Sequence, residues 1–154
     1  VVSRPIQPMG KDIGFLPGTL EEKMSPWLMP VQDNLEYLMA GDKTTMELMF
    51  ENGTIEIEAL TYIRGRSISN AYIIIDEAQN LSIHELKTII TRVGENTKII
   101  LTGDIEQIDN VYLDAASNGL SYAIERFKSQ PLAGHITLKK GERSKTATMA
   151  AKIL

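Results

Sequence analysis

The 154-residue sequence contains no cysteine. That excludes disulfides, thiolate metal sites and cysteine nucleophiles together, and it fits a reducing, cytoplasmic setting. A basic excess is also missing: 16 Lys and Arg against 20 Asp and Glu leave a net charge of −4, so no global positive field points to nucleic acid. Long apolar runs are absent. The longest, Ala71 to Ile75, is strand-sized and far short of the ~18–20 residues of a membrane span, so no membrane partner is expected. Internal repeats and low-complexity tracts are missing as well. The two histidines, His84 and His135, stand at no metal-ligand spacing and are read as structural. A start methionine is lacking too: the chain opens on Val1-Val2 and closes in the helix-like run Met149 to Leu154, as expected for a fragment of a longer protein.

What remains is ordinary globular composition, 43 % hydrophobic and 23 % charged, expected to form one domain over residues 1–154. Val1 to Ser3 reads as the end of a strand stopped by Arg4-Pro5, because proline cannot donate to a ladder. Gln7 to Pro30, with Gly10, Gly14, Gly18 and the prolines Pro8, Pro17, Pro26 and Pro30, predicts a long irregular loop. One short helix within it is opened by the capping box Thr19-x-x-Glu22. Val31, Leu35, Leu38 and then Met46, Met49, Phe50 predict two helical pieces separated near Gly41.

The period then changes. Ile55, Ile57 and Ala59 alternate with Glu56 and Glu58, which predicts a strand with one wet face. Ala71 to Ile75 predicts a central parallel strand covered on both sides, and Lys98 to Thr102 a second buried strand. Between them Ser82-x-x-Glu85 opens a helix with Leu86, Ile89, Ile90 and Val93 on one face, and Gly94 stands at the place of a helix-ending glycine. A helix from about Ala116 to Phe127, a short strand at Ile136 to Leu138 and a helix from Lys145 complete the chain. Strands alternating with helices predict an α/β fold with a mainly parallel sheet flanked by helices.

In such sheets ligands bind outside the carboxyl ends of the strands, here just after Ile75 and just after Thr102. Both places carry acids. Asp76-Glu77 can hold a hydrated Mg²⁺ and a water attacking a phosphoryl group, or can simply favour the start of the next helix. The following Ala78-Gln79 favours the first of these. Thr102-Gly103-Asp104-Ile105-Glu106-Gln107 puts a second polar cluster beside it. Gly103 allows the backbone to approach a ligand and Gln107 can bond a γ-phosphate, although a plain Gly/Asp turn has the same composition.

Taken together, Ile74-Ile75-Asp76-Glu77-Ala78-Gln79 resembles the Walker B motif of P-loop NTPases in its DEAQ form, and Thr102-Gly103-Asp104-x-x-Gln107-x-Asp109 resembles the motif that follows it. Closer still is the resemblance to the PhoH-like protein family, the phosphate-starvation-inducible ATPases. It extends through Arg4-Pro5, Gly14-Phe15-Leu16-Pro17-Gly18, Pro26-Trp27-Leu28-x-Pro30, Tyr62-Ile63-Arg64-Gly65-Arg66-Ser67 and Lys140-Gly141-Glu142-Arg143-Ser144, in order and over nearly the whole chain. The resemblance implies a RecA-like core that uses ATP and Mg²⁺. In it Asp76 would hold the metal through water, Glu77 would orient or activate the attacking water, and Asp104 and Gln107 would report on the γ-phosphate. Gln79 would line the nucleotide site. Arg143 would supply transition-state charge, with Arg64 or Arg66 in a similar role. The resemblance further implies work on RNA or single-stranded nucleic acid, and a homo-oligomer that could close as a ring.

One departure is large. The family's Gly-x-x-x-x-Gly-Lys-Thr loop, which offers backbone N–H groups and a lysine to phosphates, occurs nowhere here. It is expected upstream of the strand ending at Val2, with an N-terminal strand-loop-helix unit, so this polypeptide alone is expected to be inactive. Five basic residues against one acid between Lys139 and Lys152 can touch phosphates or simply be a solvated helix face. Trp27 and Tyr37 can stack on bases or pack the fold. The alternative reading is a non-enzymatic nucleic-acid-binding or assembly module that keeps the fold.

Overall fold

Three short parallel strands organise the chain. The structure, a computed structural model, describes residues 1–5, 20–63, 65–139 and 144–153. Strand β1 is Val2–Ser3, β2 is Tyr72–Ile75 and β3 is Lys98–Leu101. They form one sheet in the order β1-β2-β3, both pairs parallel, with Ser3 opposite Ile75 and Ile75 opposite Leu101. The ladder runs on past the strand ends: Asp76 N–H donates to the Ser3 carbonyl, Thr102 N–H to Ile75 and Ala78 N–H to Thr102, each at 2.9 Å. The α/β class and the mainly parallel sheet are thus as the alternating pattern predicts.

Helix α1 is Leu20–Leu38, α2 Lys43–Glu51, α3 Leu60–Ile63, α4 Ile83–Ile90, α5 Gly119–Phe127 and α6 Lys145–Ile153, with a 3₁₀ turn at Ala78–Asn80. The separation near Gly41 is present: Ala40 and Gly41 take φ of 53° and 79°, and Asp42 caps α2 by accepting from Thr45 N–H at 3.0 Å. The short helix expected around Thr19-x-x-Glu22 is instead 19 residues long and continues through Pro26 and Pro30; Thr19 lies outside the described residues. A proline removes the bond from its own nitrogen to the carbonyl four residues back, and its ring crowds that carbonyl. Prolines four apart lose those bonds along one line of the helix, and the other lines carry it on.

The expected strand at Ile55–Ala59 shrinks to a single parallel bridge, Val2 to Ile57. Successive peptide groups of a strand face opposite sides. In the two-residue β1, therefore, Val2 bonds Glu56 and Glu58 while Val1 and Ser3 bond β2. Glu56 and Glu58 both pair with Arg66.

Ile73 and Ile75 are fully buried, whereas Tyr72 is exposed and Ile74 half-buried, so β2 buries one face completely and not two. Along β3, Lys98 and Ile100 are exposed and Ile99 and Leu101 half-buried, so neither face of this strand is fully covered. On α4, Leu86 and Ile89 are buried, and the Ser82–Glu85 capping box is formed in both directions. Val93 lies past the end of α4, and Gly94 does not end that helix. Its N–H instead donates to the Ile68 carbonyl at 2.7 Å, and a Cβ there would stand 2.9 Å from that oxygen. Close approach between segments requires this glycine.

α5 begins three residues later than its apolar spacing predicts, because Asn118 supplies the cap. Its fully buried side chain accepts from Ser121 N–H at 2.9 Å and donates to the Asp114 carbonyl at 2.8 Å. Gly119 follows, its N–H 2.7 Å from the Leu81 carbonyl, where a Cβ would lie 2.8 Å from the Ser82 carbonyl. Two compact units divide the chain, Val1–Ala123 and Ile124–Leu154. In the second, the strand expected at Ile136–Leu138 is not formed: both side chains are exposed, and among the described residues no strand pairs with them. Alternation alone cannot make a strand without a neighbour to bond. α6 begins at Lys145 as predicted. No helix among the described residues is long and apolar enough to cross a membrane.

Gly119→Ala is expected to lower stability by about 1–3 kcal/mol, read as a reduced urea midpoint at unchanged slope, because the added methyl meets backbone rather than a movable side chain. An unchanged midpoint would show that the α4–α5 junction gives way freely. Asp114 provides a pH test. Its carboxyl is held below the ordinary carboxylate range by hydrogen bonds from Ser117 first and then from the Ala116 N–H. A depressed folded-state pKa adds stability above the unfolded value and loses it as pH falls through the folded one. Asp114→Asn should therefore flatten the acid side of the stability profile below about pH 4, within the ordinary Asp range.

Candidate functional site

β2 delivers Asp76 and Glu77 at its carboxyl end, and β1 and β3 close on either side. The Asp76 main chain is fixed by its bond to Ser3, and its carboxylate accepts the Thr102 hydroxyl at 2.8 Å. Among the described residues no cation pairs with Asp76. Glu77 turns the chain out of the strand. Its φ of 54° and ψ of 37° are left-handed, a conformation that costs a residue with a side chain about 1 kcal/mol or more. The turn leads directly into Ala78–Asn80, all buried.

Both Glu77 oxygens are engaged. Arg4, the residue after β1, places Nη2 3.0 Å from Oε1, and Gln79 donates from Nε2 to Oε2 at 2.6 Å. Gln79 is itself fully buried. Its Nε2 also donates to the Gln107 carbonyl at 2.9 Å, and its Oε1 accepts from Asp104 N–H at 3.2 Å. One side-chain amide thus ties the β2 end to the loop after β3. Gly103 makes this contact possible, since a Cβ there would lie 2.4 Å from Gln79 Oε1. The close approach expected of Gly103 toward a ligand is, in this structure, an approach to Gln79.

Within the loop, Asp104 accepts from Glu106 N–H at 2.9 Å and from Gln107 Nε2 at 2.7 Å, so Asp104 and Gln107 are in direct contact and exposed together. Asn80, buried, accepts from Asp109 N–H at 2.8 Å and from Asn110 N–H at 3.2 Å, which secures the far side of the same loop. Of the sequence-derived site residues, Asp76, Glu77, Gln79, Asp104 and Gln107 therefore converge at the carboxyl end of the sheet. Arg66 does not join them through any contact shown: its guanidinium is held by Glu58, and by Glu56 at 3.4 Å, and these acids, Glu58 foremost, raise its pKa. Arg64 and Arg143 lie outside the described residues. Arg4, Asn80 and Thr102 carry no site role in the sequence reading. The placement of an arginine just past one strand was visible, but its register against Glu77 was not.

The described residues contain no group of three or more His, Cys, Asp or Glu disposed around a metal. A largely hydrated Mg²⁺ asks for only one or two carboxylates, and Asp76 fits, with one oxygen steadied by Thr102 and no competing cation among the described residues.

A family model described as PhoH-like protein matches residues 1–153. The chain is 58 % identical over 156 residues to Protein PhoH2 of Bacillus subtilis (strain 168), covering all of this chain and 35 % of that protein. It is 38 % identical over 155 residues to Protein PhoH2 of Mycolicibacterium smegmatis, again with 100 % and 35 % coverage. It is 37 % identical over 147 residues to Protein PhoH of Escherichia coli (strain K12), covering 96 % of this chain and 41 % of that protein. The chain spans about a third of the length of the PhoH2 proteins it matches.

Gln79→Leu would keep the volume of the strut and remove its polar atoms, leaving the Asp104 N–H and the Gln107 carbonyl without this partner. The expected cost is about 1–3 kcal/mol. It should appear as faster hydrogen exchange at Asp104 and Gln107 while the β2 amides stay protected. Equal protection in wild type and variant would show that Gln79 does not tie the loop to the strand.

Proposed function

The chain belongs to the PhoH-like protein family, and we propose that in the full-length protein it supplies the Walker B side of an ATPase site. The observation that carries this reading is the pair Asp76-Glu77 at the carboxyl end of the central parallel strand, joined through Gln79 to the Asp104–Gln107 loop. Upstream residues carrying a Gly-x-x-x-x-Gly-Lys-Thr loop would cradle the ATP phosphates beside it.

Asp76 would hold Mg²⁺ through water. Mg²⁺, when bound, neutralises charge on the β- and γ-phosphate oxygens. Glu77 would accept a hydrogen bond from the attacking water, align it in line with the γ-phosphate and take its proton as the P–O bond to the leaving ADP breaks. Gln107, held by Asp104, would extend its side-chain amide to the γ-phosphate and report its loss. Gln79 would couple that loop to Glu77 from the interior. Arg143 would stabilise transition-state charge, from the same chain or from a neighbour in a homo-oligomeric ring, and Arg64 or Arg66 would neutralise phosphate charge. RNA or single-stranded nucleic acid is the macromolecular substrate proposed for the coupled work, in the cytoplasm.

In the full-length protein, Glu77→Gln should lower Mg·ATP turnover by about 10²-fold or more while ATP still binds, the scale set by loss of a general base. Turnover near the wild-type rate would remove Glu77 from the mechanism. Absence of both turnover and ATP binding in the folded wild-type protein would favour the binding-module reading. Arg143→Ala should slow hydrolysis far more than it weakens ATP binding, since an arginine of this kind is worth about 10³–10⁵ in rate. Equal loss of both would make it a ground-state contact.

A further inference from the structure

Arg4 precedes the proline that ends the first strand, and it makes the most direct charge contact with Glu77 seen among the described residues. β1 is two residues long, and Ser3 lies opposite Ile75. The next bond of the ladder, Asp76 N–H to Ser3 carbonyl at 2.9 Å, fixes the β1 end against the β2 end. Arg4 therefore leaves the sheet level with the acid pair. From there its Nη2 reaches Glu77 Oε1 at 3.0 Å, with the two side chains 24 % and 31 % exposed.

The opposite oxygen of Glu77 is held by Gln79 Nε2 at 2.6 Å. Gln79 is immobilised by burial and by its bonds to Gln107 and Asp104. The Glu77 backbone is fixed in a left-handed turn. A carboxylate gripped at one oxygen by a buried amide and at the other by a guanidinium cannot swing about its terminal torsions. Remove the guanidinium and it pivots on the Gln79 bond. For a base that must meet a water in line with a phosphoryl group, a displacement of about 1 Å costs on the order of 10²-fold in rate. The general pattern is a base oriented by a third group.

We propose that Arg4 is the positioning residue of Glu77, fixing the carboxylate for the attacking water and contributing to turnover rather than to nucleotide affinity. This rests on the reading of Glu77 as the base. Removing one partner of a pair this sheltered also costs stability, so the catalytic effect is separated from folding by measuring unfolding beside turnover.

The test uses the full-length protein with Mg·ATP, comparing wild type, Arg4→Gln, Arg4→Lys, Glu77→Gln and the Arg4→Gln/Glu77→Gln double variant. Steady-state kinetics are paired with equilibrium binding of a fluorescent ATP analogue and thermal unfolding. Arg4→Gln should lower kcat by about 10- to 100-fold, leaving KM and analogue affinity within about 2-fold. Arg4→Lys, which retains the charge without the planar fork, should recover part of the loss. The double variant should be no slower than Glu77→Gln alone, because Arg4 acts through Glu77.

An unchanged kcat in Arg4→Gln overturns the proposal. So does a raised kcat, which would make the pair a restraint on Glu77. A KM increase at constant kcat overturns it as well, by making Arg4 a phosphate contact, and so does an additive double variant. Should Arg4→Gln fail to fold, the same kcat-against-KM split is read from Arg4→Lys. Glu77→Gln turning over at the wild-type rate is a different failure, that of the base assignment itself.

Discussion

The Gln79 carboxamide, buried between two strand ends, is the constraint on which the arrangement of the site depends. It donates to Glu77 and to the Gln107 carbonyl and accepts from the Asp104 N–H. Each of these partners would otherwise bond water or nothing, and a buried polar group left unmade costs more than a made bond gains. With all of them satisfied, the network specifies one relative position for the turn after β2 and the loop after β3. Gly103 gives the amide its room, and Asn80 fastens the same loop from the next position along. A single interior side chain therefore sets the distance between an acid that faces solvent and a loop that faces the same solvent.

That rigidity explains how an unfavourable backbone persists at Glu77. The left-handed conformation there is disfavoured locally, and it survives because its neighbours are over-determined: Asp76 and Ala78 are locked by ladder bonds on either side, and Gln79 and Asn80 are buried. The strain turns the chain sharply enough for the second acid to leave the strand direction while the first stays in it. Asp76 and Glu77, adjacent in sequence, consequently meet different partners, a threonine hydroxyl for one and a guanidinium with an amide for the other. Two carboxylates with separate environments can divide metal binding from proton transfer, the division the proposed chemistry requires.

Several local readings of the chain hold in three dimensions. The Ser82–Glu85 capping box, the break at Gly41, the parallel pairing of Tyr72–Ile75 with Lys98–Leu101 and the helix from Lys145 are all present. Most of the departures share a cause. Ile55–Ala59 and Ile136–Leu138 alternate correctly but form no extended strand, since β1 offers one residue to the former and no described strand pairs with the latter. Pro26 and Pro30 read as loop residues and lie within α1. Gly94 reads as a helix terminator and is a point of close approach to Ile68. For the two alternating segments and for Gly94 the local signal is real and a neighbour distant in sequence decides how it is used, whereas the helix through the prolines is carried by its own remaining bonds.

The amino-acid sequence by itself determined the alternation of strand and helix and the capping of α4. It also determined the presence of acids after Ile75 and of an Asp/Gln cluster after Thr102. These follow from periodicity and from side-chain-to-backbone bonds within a few residues, which the chain makes wherever it folds. The tertiary structure decided register and depth. It set Arg4 against Glu77 across 73 residues of sequence, buried Gln79 while leaving Asp104 and Gln107 exposed, and put Arg66 on Glu56 and Glu58. Parallel strands are joined by long crossovers, so their alignment is fixed only when the sheet closes and buries Ile73 and Ile75. The geometry of the acid pair is a product of that closure.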